Sequence, residues 1–301
     1  MNIRQHIILF SAVISLFSYS HTVLAKVNLF ACEPEWAALA KELGGEQLHI
    51  VTATTAKQDP HHIQARPSLI AKIRRADLLV CTGAELEIGW LPLLLRKSSN
   101  ARIQLGKAGY FMATEQVELL GKPVALDRRM GDVHAAGNPH IQFDPHRIAQ
   151  VAQALAERLS AIDPSHQNQY KKNLQHFLQH WTSSIKQWER KTKPLRGTSI
   201  VVQHQSWIYL EQWLGLTQLA TLEPRPGIPP SSVHLSQVLA AMKKKPADFI
   251  IYADYQGNKA THWLAEKTNT PTVAIPFSVA DGETLSQWYE RVINLLLAAK
   301  S

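Results

Sequence analysis

The chain has 301 residues, 45% of them hydrophobic, with a formal charge of +8 and two cysteines. That length suffices for one large or two medium apolar cores. The basic residues are scattered except at Lys243 to Lys245, and no basic stripe interleaves with aromatics, which argues against a nucleic-acid-binding surface.

Residues 1–25 read as a secretory signal. Arg4 supplies the positive start, residues 7–17 the apolar centre and Val23-Leu24-Ala25 a small-residue cleavage site. Its removal deletes one charge, that of Arg4, and no later segment has an uninterrupted apolar run of membrane-spanning length. The expected location is the bacterial periplasm. Leu29-Phe30-Ala31-Cys32 loosely resembles a lipidation site, but Phe30 fits poorly and Cys32 ends a predicted strand.

From residue 26 short apolar strands alternate with helices. Strands are expected at 27–32, 48–54 and 77–83, with a fourth at 102–105, and helices at 36–43, 68–76 and 90–96. Residues 107–130 carry no clear pattern. This alternation indicates a parallel sheet covered on both faces. Cys32 and Cys81 fit no zinc motif but end strands that can lie side by side, so a disulfide and two buried free thiols both remain open.

Asp144 is a suitable helix N-cap, followed by Ile148, Val151, Leu155 and Leu159 at helical spacing. Asp163-Pro164 opens a further helix, and Tyr170, Leu174, Phe177, Leu178, Trp181, Ile185 and Trp188 carry its apolar stripe as far as Pro194. About 30 residues give a rod of roughly 45 Å, read here as a stiff strut between two lobes. Alternation then resumes with strands at 199–203, 219–222, 248–253 and 272–277 and a last helix at 283–299. The two halves echo each other. Asp59-Pro60 and Glu223-Pro224 each end a second strand, Ser68 and Ser232 each start a helix nine residues on, and Asp77 and Asp248 each lead into an apolar strand. The expected fold class is α/β, two βα lobes with mostly parallel sheets joined by a long rigid helix. The divisions are 1–25 signal, 26–163 first lobe, 164–194 connecting helix and 195–301 second lobe.

In open parallel sheets, ligands gather beyond the carboxyl ends of the strands. His61 follows the second strand, His140 lies in the loop 131–145 leading out of the first lobe, and His204 ends the first strand of the second lobe. Three imidazoles facing one cleft, with a carboxylate, suit Zn²⁺. Of the fourteen histidines in the chain, His146, His166, His176 and His180 are expected on solvated helix faces; His62 and His134 are second candidates, and His176 and His180 form an i, i+4 pair on the strut.

DPHH at 59–62 followed by Arg66-Pro67-Ser68, then Asn138-Pro139-His140 with Asp144-Pro145, then a strand ending in His204, resembles the solute-binding proteins of zinc and manganese ABC transporters. The resemblance runs in order through residues 26–301. It implies metal ligands at His61, His140 and His204, and zinc rather than manganese, since manganese members tend to carry Glu at the third position. Two features depart from the pattern. GDVHAAG stands where many zinc members have a long His-rich loop, and Asp281 is the nearest substitute for the family's usual Asp near the last strand. Asp281 is taken as the fourth ligand, with Glu223 or water as alternatives, or else as a cap of the last helix. The resemblance implies a monomer that delivers Zn²⁺ to the membrane permease of an ABC transporter, with a periplasmic metallochaperone as a further partner and no enzymatic activity.

The rival reading is an exported zinc-dependent hydrolase using three His and an open position. Against it, the chain has no HExxH and no motif assigns a general base; Glu85, Glu87 and Glu223 are conceivable ones. A surface adhesin is a third class, unsupported by any repeat array.

Overall fold

The structure, a computed structural model, describes residues 25–123, 131, 132 and 134–300; the signal expectation for 1–25 therefore falls almost wholly outside the described residues. Among the described residues no helix is long and apolar enough to cross a membrane.

The first half holds strands β1 (Val27–Ala31), β2 (Leu48–Thr52), β3 (Leu78–Cys81) and β4 (Tyr110–Met112), all parallel, in the order β2-β1-β3-β4. The second holds β5 (Ser199–Val202), β6 (Thr217–Thr221), β7 (Phe249–Ala253) and β8 (Thr272–Ile275), also parallel, in the equivalent order β6-β5-β7-β8. The internal echo extends to hydrogen bonds. Asp77 accepts from the backbone N–H of Asn28 at 2.9 Å, and Asp248 from that of Ser199 at 2.7 Å, so each acid ties the start of one strand to its neighbour.

Because side chains alternate across a strand, each sheet faces two apolar layers. Leu29, Ala31, Leu78 and Val80 point into the central core, whereas Phe30, Leu79 and Cys81 point to an outer layer with helices α2 (Pro67–Ile73) and α3 (Leu91–Ser98). In the second lobe Ile200 and Val202 face the centre. Val201 and Ile250 face α7 (Ser232–Lys244) and α8 (Lys259–Thr268). The central core is continuous between the sheets. It takes in α1 (Pro34–Gly44), α4 (Pro145–Ile162), α5 (Gln167–Lys191), α6 (Ile208–Leu214) and α9 (Leu285–Lys300).

The connecting helix is thus shorter and less free than the sequence suggests. It has 25 residues, with separate 3₁₀ turns at Pro164–His166 and Lys193–Leu195. Its stripe of Phe177, Trp181, Ile185 and Trp188 is buried, and Trp188 stacks on Tyr289 of α9 with ring centroids 5.0 Å apart. It is a packed member of a shared helical layer, not a bare strut.

Two further expectations are corrected. Residues 102–105 form no strand; Ala101–Ile103 is a 3₁₀ turn and Leu105 is 77% exposed. The fourth strand lies instead in the stretch that carried no clear pattern, where Phe111 and Met112 are buried beside β3. The cysteines form a disulfide, Cys32–Cys81, linking the ends of adjacent strands with Cα atoms 4.7 Å apart. Cys32 is therefore not available as a lipidated thiol.

Candidate metal centre

Four imidazoles meet where the carboxyl ends of both sheets face each other. Potential ligand atoms of His61, His140 and His204 all lie within 4.8 Å of one another, and all three residues are buried. The His61 ring centroid is 5.6 Å from that of His140 and 5.9 Å from that of His204. His134 joins them, 5.5 Å from His61 and 6.5 Å from His140.

Two of the rings are held from behind. His61 Nδ1 lies 2.8 Å from Asp59 Oδ1, which also accepts the His61 backbone N–H at 3.0 Å. His204 Nδ1 lies 2.7 Å from Glu223 Oε2, an oxygen that also accepts from the Gly227 N–H at 2.8 Å. A carboxylate on Nδ1 fixes that nitrogen as the donor and leaves Nε2 with a free lone pair. For His61 the consequence is visible: Nε2 is buried without a hydrogen-bond partner. His134 Nε2 and His140 Nδ1 are likewise buried and unpartnered. Buried polar atoms without partners are costly and rare; those of His61 and His140 belong to the converging group, with that of His134 beside it, and mark a place built for an electron-pair acceptor.

The backbone explains how the loops reach this point. The Asn138 side chain accepts the His140 N–H at 3.0 Å and donates to the carbonyl of Gln205 at 2.7 Å, tying the His140 loop to the residue beside His204. Tyr209 Oη donates to the Asn138 carbonyl at 2.7 Å. His134 sits over a turn in which Gly83, Ala84 and Glu85 all have positive φ (84°, 49° and 66°). Two such non-glycine residues in succession are strained. A Cβ at position 83 would lie 2.7 Å from Thr114 Oγ1, so only glycine fits there. The turn puts Glu85 Oε2 3.1 Å from the Ala135 N–H and the Ala84 backbone against His134.

Burial and the proximity of the other imidazoles hold two of these rings neutral. The His140 pKa lies well below the ordinary value, through burial first and then His61, His204 and His134. That of His134 falls to about 4, again through burial first and then His61, opposed by the bond to the Ala84 backbone. Neutral imidazoles present lone pairs at neutral pH.

Asp281 is not brought to this cluster. It is exposed and lines a surface pocket of about 630 Å³ with Pro34, Lys41 and Thr52, and no cluster histidine reaches that pocket. The residue that this segment places against the imidazoles is Phe277, whose ring centroid is 5.1 Å from that of His140. Asp281 does not cap α9 either. Thr284 and Gln287 do so reciprocally: Thr284 Oγ1 accepts the Gln287 N–H and Gln287 Oε1 accepts the Thr284 N–H.

None of the three conceivable bases is free. Glu85 is bound to Ala135, Glu87 is buried and accepts from the Thr82 and Gly83 N–H groups, and Glu223 is occupied by His204 and Gly227. His62 is exposed beside the cluster, on a cavity of about 390 Å³ shared with Asp132 and Tyr255. Sequence reasoning noticed Asp59-Pro60 and Glu223-Pro224 as an echo but assigned Asp59 no role. The signal was present: Asp59 stands two residues before His61, and Glu223 follows the strand that pairs with that of His204.

A model of the family described as ZnuA, zinc-uptake complex component A periplasmic, matches residues 30–299. The zinc-binding lipoprotein AdcA of Streptococcus pneumoniae is 24% identical over 236 residues, 77% of this chain and 46% of that protein. The chain thus spans about half the length of this relative. The high-affinity zinc uptake system protein ZnuA of Yersinia pestis is 25% identical over 223 residues, 70% of each chain. Among solved structures, a ZnuA crystal structure superposes with a TM-score of 0.76 at 21% identity, covering 92% of this chain and all of that one. A periplasmic metal binding protein from Candidatus Liberibacter asiaticus superposes with a TM-score of 0.73 at 16% identity, over 92% of this chain and all of that one.

Proposed function

Since the chain belongs to the family of periplasmic zinc-uptake complex component A proteins, we propose that it is a receptor that captures Zn²⁺ and passes it to an ABC permease for import. The observation that carries the reading is the convergence of buried, unpartnered imidazole nitrogens from separate loops. His61, His140 and His204 are the ligands, and His134 supplies the fourth bond in place of Asp281. Residues 26–163 and 195–301 act as the two lobes that hold the ion between them.

An all-imidazole set suits zinc, whereas manganese favours carboxylate and water oxygens. It leaves the ion's two charges without a directly bound anion. Asp59 and Glu223, hydrogen-bonded to the far nitrogens of two ligands, offset that charge through the rings. Capture and release require no chemistry on the ion, so the protein acts as a binding component, not an enzyme. It works as an exported monomer in the periplasm, its functional partner being the permease; a metallochaperone is a further candidate source of zinc.

The test is competition between Zn²⁺ and Mn²⁺ for metal-free protein. The reading expects zinc to displace manganese completely at equal concentrations, and His204→Ala to weaken zinc binding by orders of magnitude. Equal retention of both ions, or a His204→Ala variant that binds zinc like the parent, contradicts it.

A further inference from the structure

Away from the cluster, α5 carries a second pair of imidazoles that the cargo site does not use. His176 and His180 stand one turn apart on the exposed face of the helix, with ring centroids 4.6 Å apart and Nε2 atoms separated by 3.3 Å. Two nitrogens each about 2.0–2.1 Å from one tetrahedral zinc ion lie about 3.3–3.4 Å apart. The pair thus already has the spacing of two ligands on one ion.

The platform under the pair is rigid. Phe177 and Trp181, each one residue on from a histidine and about 100° round the helix, are buried in the central core and stack on each other at 5.2 Å. Asn173, three residues before His176, donates to the carbonyl of Leu43 at 2.8 Å and pins α5 to the end of α1. That end of α1 presents Glu42, close enough to both imidazoles to interact with them electrostatically, with Lys41 as the neighbouring positive charge.

We infer that His176 and His180, with Glu42 as an outer carboxylate, form a second, weaker site for borderline divalent cations such as Zn²⁺ on the surface of α5. The two imidazoles bind directly, water fills the remaining positions, and Glu42 supplies negative charge across the helix–helix groove. The pair is exposed, and an ion there exchanges with solvent without passing through the cleft. Its strength rests on two bonds, so it loads after the buried cluster. The inference uses none of the cluster's residues and stands or falls apart from the proposed cargo.

The experiment is a zinc titration of the full chain followed by native mass spectrometry, repeated with the variant His176→Gln/His180→Gln and with Glu42→Gln. The parent is expected to take up two zinc equivalents of different affinity. The double variant should weaken the second by at least about tenfold, through loss of the bonds that hold it, and leave the first unchanged; Glu42→Gln should weaken it a few-fold. A variant with His140→Ala and His204→Ala should keep the weaker equivalent, which separates this site from the cluster. An unchanged second equivalent in the double His variant, or no second equivalent in the parent at saturating zinc, overturns the inference.

Discussion

His204 Nδ1 and Glu223 Oε2 lie 2.7 Å apart, so the imidazole is oriented by a carboxylate from the end of the neighbouring strand. Asp59 does the same for His61 at 2.8 Å. Each acid is followed by a proline at the corresponding place of its half, and each turns one ring edge toward the cluster. Partners of this kind typically change metal affinity by about 10–100-fold. Glu223→Ala and Asp59→Ala should each weaken zinc binding within that range. Glu223→Gln should fall between, since its amide oxygen still accepts a hydrogen bond but carries no charge. Calorimetric titration against a competing chelator measures this; parent-like affinity in Glu223→Ala would show that the carboxylate serves only to close the Gly227 turn.

The proposed site puts His134 where the sequence suggested Asp281. Asp281→Asn should leave zinc affinity unchanged, because its carboxylate lies in an exposed pocket away from the rings. His134→Ala should lower affinity by about tenfold or more, as one of four bonds is removed. A large loss in Asp281→Asn with none in His134→Ala would restore the carboxylate to the coordination sphere.

The sheets were legible in the sequence because fully buried parallel strands leave unbroken apolar runs, as at 27–32 and 248–253. Tyr110–Met112 was not, since three residues are too few to show a period, while the alternation at 102–105 imitated a strand. The three central histidines could be found because Asn138-Pro139-His140 and DPHH are local patterns. His134 and Glu223 were legible only as secondary candidates, since the place of His134 depends on a strained turn at 83–85 and that of Glu223 on strand order. Asp281 lies away from the imidazoles for a readable reason. Thr284 and Gln287 form a capping box in the sequence, and recognising it starts the last helix at Leu285.

A buried carboxylate joins the lobes elsewhere. Glu35, near the start of α1, accepts a hydrogen bond from Ser278 beyond β8, and burial raises its pKa to about 7 despite that bond. The folded value lies above the unfolded one of about 4.3, so the native state binds more protons in between. This group's stabilising contribution is complete below pH 4 and is lost as pH rises through 7. Glu35→Gln mimics the protonated form. Its melting temperature should match the parent's near pH 4 and exceed it increasingly up to pH 8; a variant less stable than the parent at pH 8 contradicts the assignment.

The shared core limits lobe movement. Lys57 of the first lobe pairs with Asp254 of the second, and Tyr289 Oη donates to the Gln142 carbonyl at 2.5 Å across the helical layer. Zinc capture should therefore order loops without a wide hinge closure. Small-angle scattering curves with and without zinc should nearly superimpose, and hydrogen exchange should slow in the 131–140 segment. A large drop in radius of gyration on adding zinc contradicts this picture.

The most direct test of the central claim is X-ray absorption at the zinc edge on protein loaded with one equivalent. The account predicts nitrogen ligands at about 2.0–2.1 Å, with the multiple-scattering pattern of three to four imidazoles, reduced by one imidazole in His140→Ala. A first shell dominated by carboxylate or water oxygens, or a spectrum unchanged in His140→Ala, would contradict it.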